Sequence, residues 1–344
     1  MSTPVAGDGL QWPDEESEPQ DSGEACASGQ ADADLELRQV EVSAVQHQAR
    51  LDKALAELVP EFSRSYLQQL LSQGCVRLND QVAHKPAHKV RAGDRVVVEM
   101  RPTQQSQAFK PEQLPLDVVY EDAHLLVVNK PAGLVVHPAP GNWSGTLLNA
   151  LLGRDAQALQ VPRAGIVHRL DKDTSGLMVV ARSRPVMDAL VRMIAAREVS
   201  RQYLALAWGR WAGAAQRVVQ APIGRDPRNR LRMATVDLQQ HPGKPARTDF
   251  ELLVGNDEVC LVRCTLHTGR THQIRVHMAS LRHPLVADGL YGGALGGVLQ
   301  RQALHAFRLA FQHPVTGQAM ELRAPLPADM LQALDFWALG YNGG

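Results

Sequence analysis

The feature that most constrains this chain is a change of hydrophobic period at Gly74. Before it, Leu51, Leu55, Leu58 and Val59 fall at i, i+4, i+7 and i+8, one face of a short amphipathic helix that stops at Pro60. Ser63 then stands where an N-cap belongs, ahead of a second helix that turns Tyr66, Leu67, Leu70 and Leu71 inward and ends at Gly74. After Gly74 the period is two. Val76 and Leu78 flank Arg77, Asn79-Asp80 marks a turn, and Gly93-Asp94 leads into a strand over Arg95–Glu99. A helix, a helix and a hairpin in succession make a small unit with its own core, expected over residues 46–101.

Charge divides the chain at a second place. Residues 1–36 carry ten acids and no Lys or Arg, so the rest holds 36 basic against 26 acidic residues, although the whole chain is formally neutral. A surplus of that kind is the footprint of a nucleic-acid binder, but it is also common on soluble proteins, and charge alone leaves the partner open. The first 45 residues, rich in Ser, Gly, Pro and acid and without apolar periodicity, are expected to be a disordered acidic tail. No run of 18 apolar residues exists, and Met1-Ser2-Thr3-Pro4 opens neither a basic nor an apolar leader. A membrane span and a secretory signal are therefore not expected, and the expected compartment is the cytoplasm. Cys26, Cys75, Cys260 and Cys264 are too scattered for a disulfide framework and form no C-x-x-C knuckle, which points to reduced thiols.

Residues 102–115, bounded by prolines, read as a linker. Beyond them the strand-like runs Val118–Tyr120, Leu125–Asn129, Leu177–Ala181, Tyr203–Ala207 and Val259–Leu266 are interspersed with helical stretches such as Arg184–Arg197. That pattern predicts one large mixed domain over 116–340, of α/β or α+β class. Within it, residues 165–181 place His168, Arg169, Asp171, Asp173, Thr174 and Ser175 in a polar loop ahead of an apolar strand. Such a loop can set one carboxylate beside one guanidinium at the mouth of a sheet. The same composition suits a solvated turn, since Asp and Ser favour turns.

Two resemblances sharpen these readings. Arg50-Leu51-Asp52, Ser63-Arg64, Gly74-Cys75-Val76-Arg77-Leu78-Asn79, Lys89-Val90 and Gly93-Asp94-Arg95-Val96 resemble the S4-type RNA-binding module, with Asp80 where that family usually has Gly. The resemblance implies phosphate contacts from Arg50, Lys53, Arg64, Arg77, Lys85 and Lys89, each of which is otherwise an ordinary solvated base. His168-Arg169-Leu170-Asp171 followed by Thr174-Ser175-Gly176 resembles the signature of the RluA-type pseudouridine synthases. The likeness continues through Asn129-Lys130-Pro131-Ala132-Gly133, Arg201-Gln202-Tyr203, Gly269-Arg270-Thr271-His272-Gln273-Ile274-Arg275 and His283-Pro284-Leu285-Val286-Ala287-Asp288 with Tyr291-Gly292. It is closest to the branch that modifies 23S ribosomal RNA and carries an S4 module, through Val161–His168, Lys172-Asp173 and Arg301–Ala306. Ser175 stands where a second Thr is usual, and Ala294–Leu299 is short and Gly-rich where relatives carry a longer loop.

What the resemblance implies is an α+β fold, a mixed-sheet pseudouridine synthase domain behind a small S4-like module. It implies an isomerisation in which the N1–C1′ bond of a uridine breaks and C5 joins C1′. Asp171 would be the catalytic carboxylate, acting as nucleophile, as stabiliser of a ribose cation or as base at C2′. Arg275 would keep it ionised, Tyr203 and Ile274 would enclose the flipped uracil, Arg169 would fill the vacated space or grip the displaced backbone, and His168 would support the active site. Arg225, Arg228, Arg230 and Lys244 would contact RNA backbone. The expected partner is large-subunit ribosomal RNA, with the loop of helix 69 as target, or a pre-50S particle, bound by a monomer. No cofactor is expected. Metal is also not expected: His267, His272 and His277 recur at a step of five, which on a strand alternates faces. The rival readings are an S4-bearing ribosome-assembly factor with an inert catalytic domain, and an N-glycosidase that would release free uracil.

Overall fold

The computed structural model describes residues 36–341 apart from 61, 101–107, 140 and 230. The described residues divide into two compact units, 36–100 and 108–341. The acidic segment 1–35 lies outside the described residues.

In the N-terminal unit, β1 (Glu36–Glu41), α1 (Leu51–Leu58), α2 (Arg64–Ser72), β2 (Val76–Leu78), β3 (Gln81–Val82) and β4 (Arg95–Met100) form two helices on a four-stranded sheet of order β1-β4-β2-β3. The Ser63 hydroxyl accepts from the Tyr66 amide, capping α2 as its position requires. Leu51, Leu55, Leu67, Leu70 and Leu71 pack with Val76, Val96 and Val98 in a closed core. The ordered unit therefore starts ten residues before the expected boundary at 46, because β1 pairs antiparallel with β4 along its whole length. Its residues 37–41 are exposed or half-buried, so this edge strand carries no apolar alternation to announce it.

The second unit is built on a nine-stranded sheet. In chain order its elements are β5 (Val118–Glu121), β6 (Leu125–Lys130), α3 (Leu147–Arg154), β7 (Ser175–Ala181), α4 (Arg184–Ala195), β8 (Ser200–Trp208) and β9 (Gln216–Val219). There follow the hairpin strands β10 (Ile223–Arg225) and β11 (Met233–Thr235), then β12 (Thr248–Gly255), β13 (Val259–Leu266), α5 (Gln273–Ser280), β14 (Leu304–Gln312), β15 (Ala319–Arg323) and α6 (Ala328–Phe336). The main sheet runs β5-β6-β7-β14-β8-β13-β12-β9, with β15 on β14, and its pairs are antiparallel except β7 with β14.

Period-two burial explains why both faces are covered. Leu126 and Val128 of β6 face a cluster with α3, Met178, Tyr203 and Ile274, while Leu125 and Val127 face α4 through Val186, Met187 and Leu190. Further along the sheet, Leu204, Leu206, Val259 and Leu261 pack on α6. The one parallel pairing needs a glycine: a Cβ on Gly176, at φ +117°, would stand 2.3 Å from the Ala306 carbonyl oxygen.

Part of the expected linker belongs to this unit. Asn149, fully buried on α3, donates from Nδ2 to the carbonyls of Ala108 and Lys110, and its own carbonyl accepts from the Glu112 amide. The Glu112 carboxylate accepts from the Gly145 amide. Residues 108–115 are thus packed on the catalytic-type domain, which begins at 108 rather than 116. Hydrogen bonds to main chain hold them, and such bonds leave little hydrophobic pattern.

Candidate active site

The loop 166–174 enters β7 under tight restraint. A Cβ on Gly165, at φ +80°, would meet the Ala181 carbonyl oxygen at 1.8 Å, so the chain can turn here only without a side chain. Lys130, buried at the end of β6, donates from Nζ to the carbonyls of Pro131, Leu134 and Lys172 at 2.8–2.9 Å. Arg301 donates from Nη1 to the Asp173 carbonyl at 2.9 Å, and the Thr174 amide donates to the Asp171 carbonyl at 3.1 Å. Both flanks of Asp171 are therefore tied to distant parts of the domain.

Arg275, in the first turn of α5, donates from Nη1 to Asp171 Oδ2 at 3.1 Å, the ion pair that the resemblance implies. Its Nε and Nη2 grip both oxygens of Asp288 at 2.8 and 2.9 Å. The arginine side chain is 8% exposed, Asp171 17% and Asp288 1%, so one guanidinium serves two enclosed carboxylates. Burial pushes the Asp171 carboxyl up, but the charges of His272, Arg275 and Arg169 and the Arg275 hydrogen bond outweigh it, leaving it ionised below the usual carboxylate range. Burial likewise opposes the charge of Arg275, and its two carboxylates more than restore it.

Tyr203 of β8 and Ile274 of α5 lie in one apolar cluster, 5% and 3% exposed. Burial pushes the Tyr203 phenol up to about 12, so the ring is neutral and offers a face rather than a charge. Arg169 is exposed beside this centre. His168, expected to support the site, meets the backbone of β7. Its Nε2 accepts from the Val179 amide at 3.1 Å, its Nδ1 is shut off from solvent, and burial pushes its pKa down to about 3. It is a neutral strut beneath the loop.

Three contributors carried no role in the sequence reading: Asp288, His272 and Tyr291. A signal for Asp288 was available, since a buried arginine has five donors and needs more acceptors than one carboxylate supplies. The strand premise used against zinc does not hold, because His272 precedes α5 and His277 lies in it. The three imidazoles go to separate partners: His267 to Asp249, His272 to the Tyr291 hydroxyl, and His277 to Thr248 and the Ala221 carbonyl. Cys260 and Cys264 are buried in the sheet, where burial pushes the first thiol up to about 12 and the second well above its ordinary value. Cys75 is a buried free thiol, and Cys26 lies outside the described residues.

The basic residues expected to meet RNA have mixed surroundings. Lys53, Arg77, Lys85 and Lys89 are exposed on the N-terminal unit. Arg50 and Arg64 are half-exposed, but both pair with the fully buried Asp52, at 3.0 and 2.7 Å, and Gln68 donates to the same carboxylate. In the second unit, Arg225 ends β10, Arg228 is exposed in the hairpin turn, and Arg232 pairs with Asp226. Lys244 is half-buried, its backbone paired with Ile223, and Arg230 lies outside the described residues. The short loop 294–299 is pinned on two indoles: Trp208 Nε1 donates to the Ala294 carbonyl, and a Cβ on Gly296 would stand 2.7 Å from Trp208 and 2.8 Å from Trp337.

Residues 124–280 match the family model for RNA pseudouridylate synthase, and residues 49–96 match that for the S4 domain. A protein of Neisseria meningitidis serogroup B, ribosomal large subunit pseudouridine synthase D, is 48% identical over 296 residues, covering 83% of this chain and 78% of the relative. The like-named protein of Xanthomonas campestris pv. campestris is 47% identical over 310 residues, covering 86% and 91%. Among solved structures, Human RNA Pseudouridylate Synthase Domain Containing 1 superposes with a TM-score of 0.50 at 29% identity, over 70% of this chain and 96% of that one. An ion-paired carboxylate loop in a mixed sheet, a matching family model and this degree of identity agree: the chain belongs to the RluA-type RNA pseudouridine synthases that carry an N-terminal S4 domain.

Proposed function

We propose that this chain isomerises uridines of large-subunit ribosomal RNA to pseudouridine, with Asp171 as the catalytic carboxylate. The observation that carries the reading is the Asp171–Arg275 pair, a carboxylate kept ionised at the edge of the apolar wall made by Tyr203 and Ile274. Breaking N1–C1′ leaves positive charge on the ribose, and a fixed anion stabilises that charge or forms a bond to C1′. Arg275 engages Oδ2, which leaves Oδ1 to meet the sugar. The base must leave its stack before C1′ is within reach, and the Tyr203 ring offers a flipped uracil an apolar surface to lie on. Arg169, exposed beside the carboxylate, would hold the displaced strand.

Support for the RNA comes from the relatives, which are named for the ribosomal large subunit, and from the S4 domain with its exposed Lys53, Arg77, Lys85 and Lys89. The loop of helix 69 is the proposed target, and the cytoplasm the proposed compartment. A monomer is the proposed state. An inert assembly factor would have no use for a buried arginine shared between two carboxylates, an arrangement that is costly to enclose.

Asp171→Asn tests the assignment, because the amide keeps the shape and loses the charge. Pseudouridine formation on a ribosomal RNA fragment is expected to vanish while affinity for that RNA stays within about twofold, the signature of a loss confined to the chemical step. Turnover near that of the unaltered protein would overturn the role of Asp171, and free uracil among the products would make the chain a glycosidase.

A further inference from the structure

The guanidinium of Arg275 is held on two sides by one short segment. Asp288 takes its edge through two hydrogen bonds, and Tyr291, three residues on, lies under its face with the ring centroid 5.0 Å from Cζ. The Tyr291 hydroxyl reaches two further groups: it accepts from the Met233 amide at 3.0 Å and meets His272 Nδ1 at 2.8 Å. Met233 is the first residue of β11, so that amide belongs to the hairpin whose other strand ends in Arg225 and whose turn carries Arg228. The root of the hairpin is apolar. Ile223 and Met233 pack with Val276, the neighbour of Arg275 on α5, and Tyr291 covers this cluster.

From this arrangement we infer that Tyr291 is a positioning residue through which RNA bound on the β10–β11 hairpin sets Arg275 against Asp171. The proposal rests on the reading of that hairpin as an RNA-facing surface and gives the surface a second task. Arg225 ends β10 and Arg228 stands in the turn beyond it, so phosphate held there contributes to the rate only if the hairpin is joined to the catalytic pair. Tyr291 supplies the join in two parts. Its hydroxyl fixes the height of β11 above α5, and its ring fixes the plane of the guanidinium, whose remaining Nη1 points to Asp171.

Tyr291→Phe separates the two parts, since it keeps the ring under Arg275 and removes the acceptor for the Met233 amide. In the full-length chain, with RNA saturating, its single-turnover rate is expected to fall about 10- to 100-fold, the range for loss of one buried hydrogen bond, while RNA affinity changes little. The paired variant Arg225→Ala/Arg228→Ala is expected to lower the rate in the native background and to add no further loss in the Tyr291→Phe background. Tyr291→Leu, which also removes the ring, should be slower than Tyr291→Phe. A Tyr291→Phe rate equal to the parent, or losses that multiply with those of the arginine variant, overturns the relay through Tyr291. If the arginine variant by itself leaves both affinity and rate unchanged, the RNA-facing reading of the hairpin fails, and the proposal fails with it.

Discussion

Replacing Arg275 with methionine is the perturbation whose size the structure best defines. Arg275→Met keeps most of the side-chain volume but strips two carboxylates of their shared partner, and Asp288, at 1% exposure, then has neither of the hydrogen bonds that Nε and Nη2 supplied. Breaking an enclosed ion pair from one side costs about 3–5 kcal/mol, because the surviving charge is left uncompensated. For a unit of this size that corresponds to a fall of about 6–20 °C in the melting temperature of the C-terminal unit. Restoring neutrality at the other end separates stability from chemistry. Arg275→Met/Asp288→Asn should recover about 1–3 kcal/mol of the loss, since an amide is cheaper to enclose than an unpaired carboxylate. The double variant should remain inactive, because Asp171 still lacks its cation. Calorimetry gives the first quantity, and release of tritium from C5-labelled uridine in a single turnover gives the second. An Arg275→Met protein that melts within about 2 °C of the parent would refute the reasoning from burial. One that remains active would refute the role of the pair.

Further outcomes follow from the corrected boundaries and from the half-buried His168. His168 has a folded pKa of about 3 against an ordinary value of 6.5, so the unfolded chain binds a proton across that window and the native chain does not. Its contribution to stability is therefore present near neutrality and is lost as pH falls from about 6.5 towards 3, at up to about 1.4 kcal/mol per pH unit. His168→Gln should flatten the acid slope of denaturant-measured stability by about one proton, and an unchanged slope would contradict the account. A chain beginning at Ala108 should melt like the second unit of the full-length protein, whereas one beginning at Leu116 should lose about 1–3 kcal/mol for each Asn149 group left unsatisfied; equal melting temperatures would put the boundary back at 116. The Ala108 chain should also bind RNA with a shallower salt dependence, by about 0.7 in log–log slope for each phosphate that the N-terminal unit would have neutralised. A slope identical to that of the full-length chain would show that this unit meets no phosphate.

How much of this was legible follows from the kind of interaction involved. Apolar periodicity marked α1 and α2, and the strand Val259–Leu266 was read to its ends, because those residues sink side chains into a core. It could not mark β1, whose residues stand exposed at a sheet edge, nor residues 108–115, which are held through backbone carbonyls by Asn149. The pairing of Asp171 with Arg275 joins positions 104 apart, and no pattern of spacing reveals it; resemblance to a family supplied it and the geometry bears it out. Asp288 and Tyr291 stood inside a motif that resemblance had already quoted, yet their task emerges only when the turn after Leu285 folds back on α5. His168 adjoins the motif in sequence, and what it supports, the Val179 amide of β7, shows only in three dimensions.

The measurement that bears most directly on the central claim is a map of pseudouridine at nucleotide resolution in large-subunit ribosomal RNA from cells lacking this protein, complemented by either the native chain or Asp171→Asn. The account predicts that specific sites, in the loop of helix 69, are unmodified without the protein, return with the native chain and stay unmodified with Asp171→Asn. Sites that persist without the protein, or that return with the asparagine variant, would contradict it.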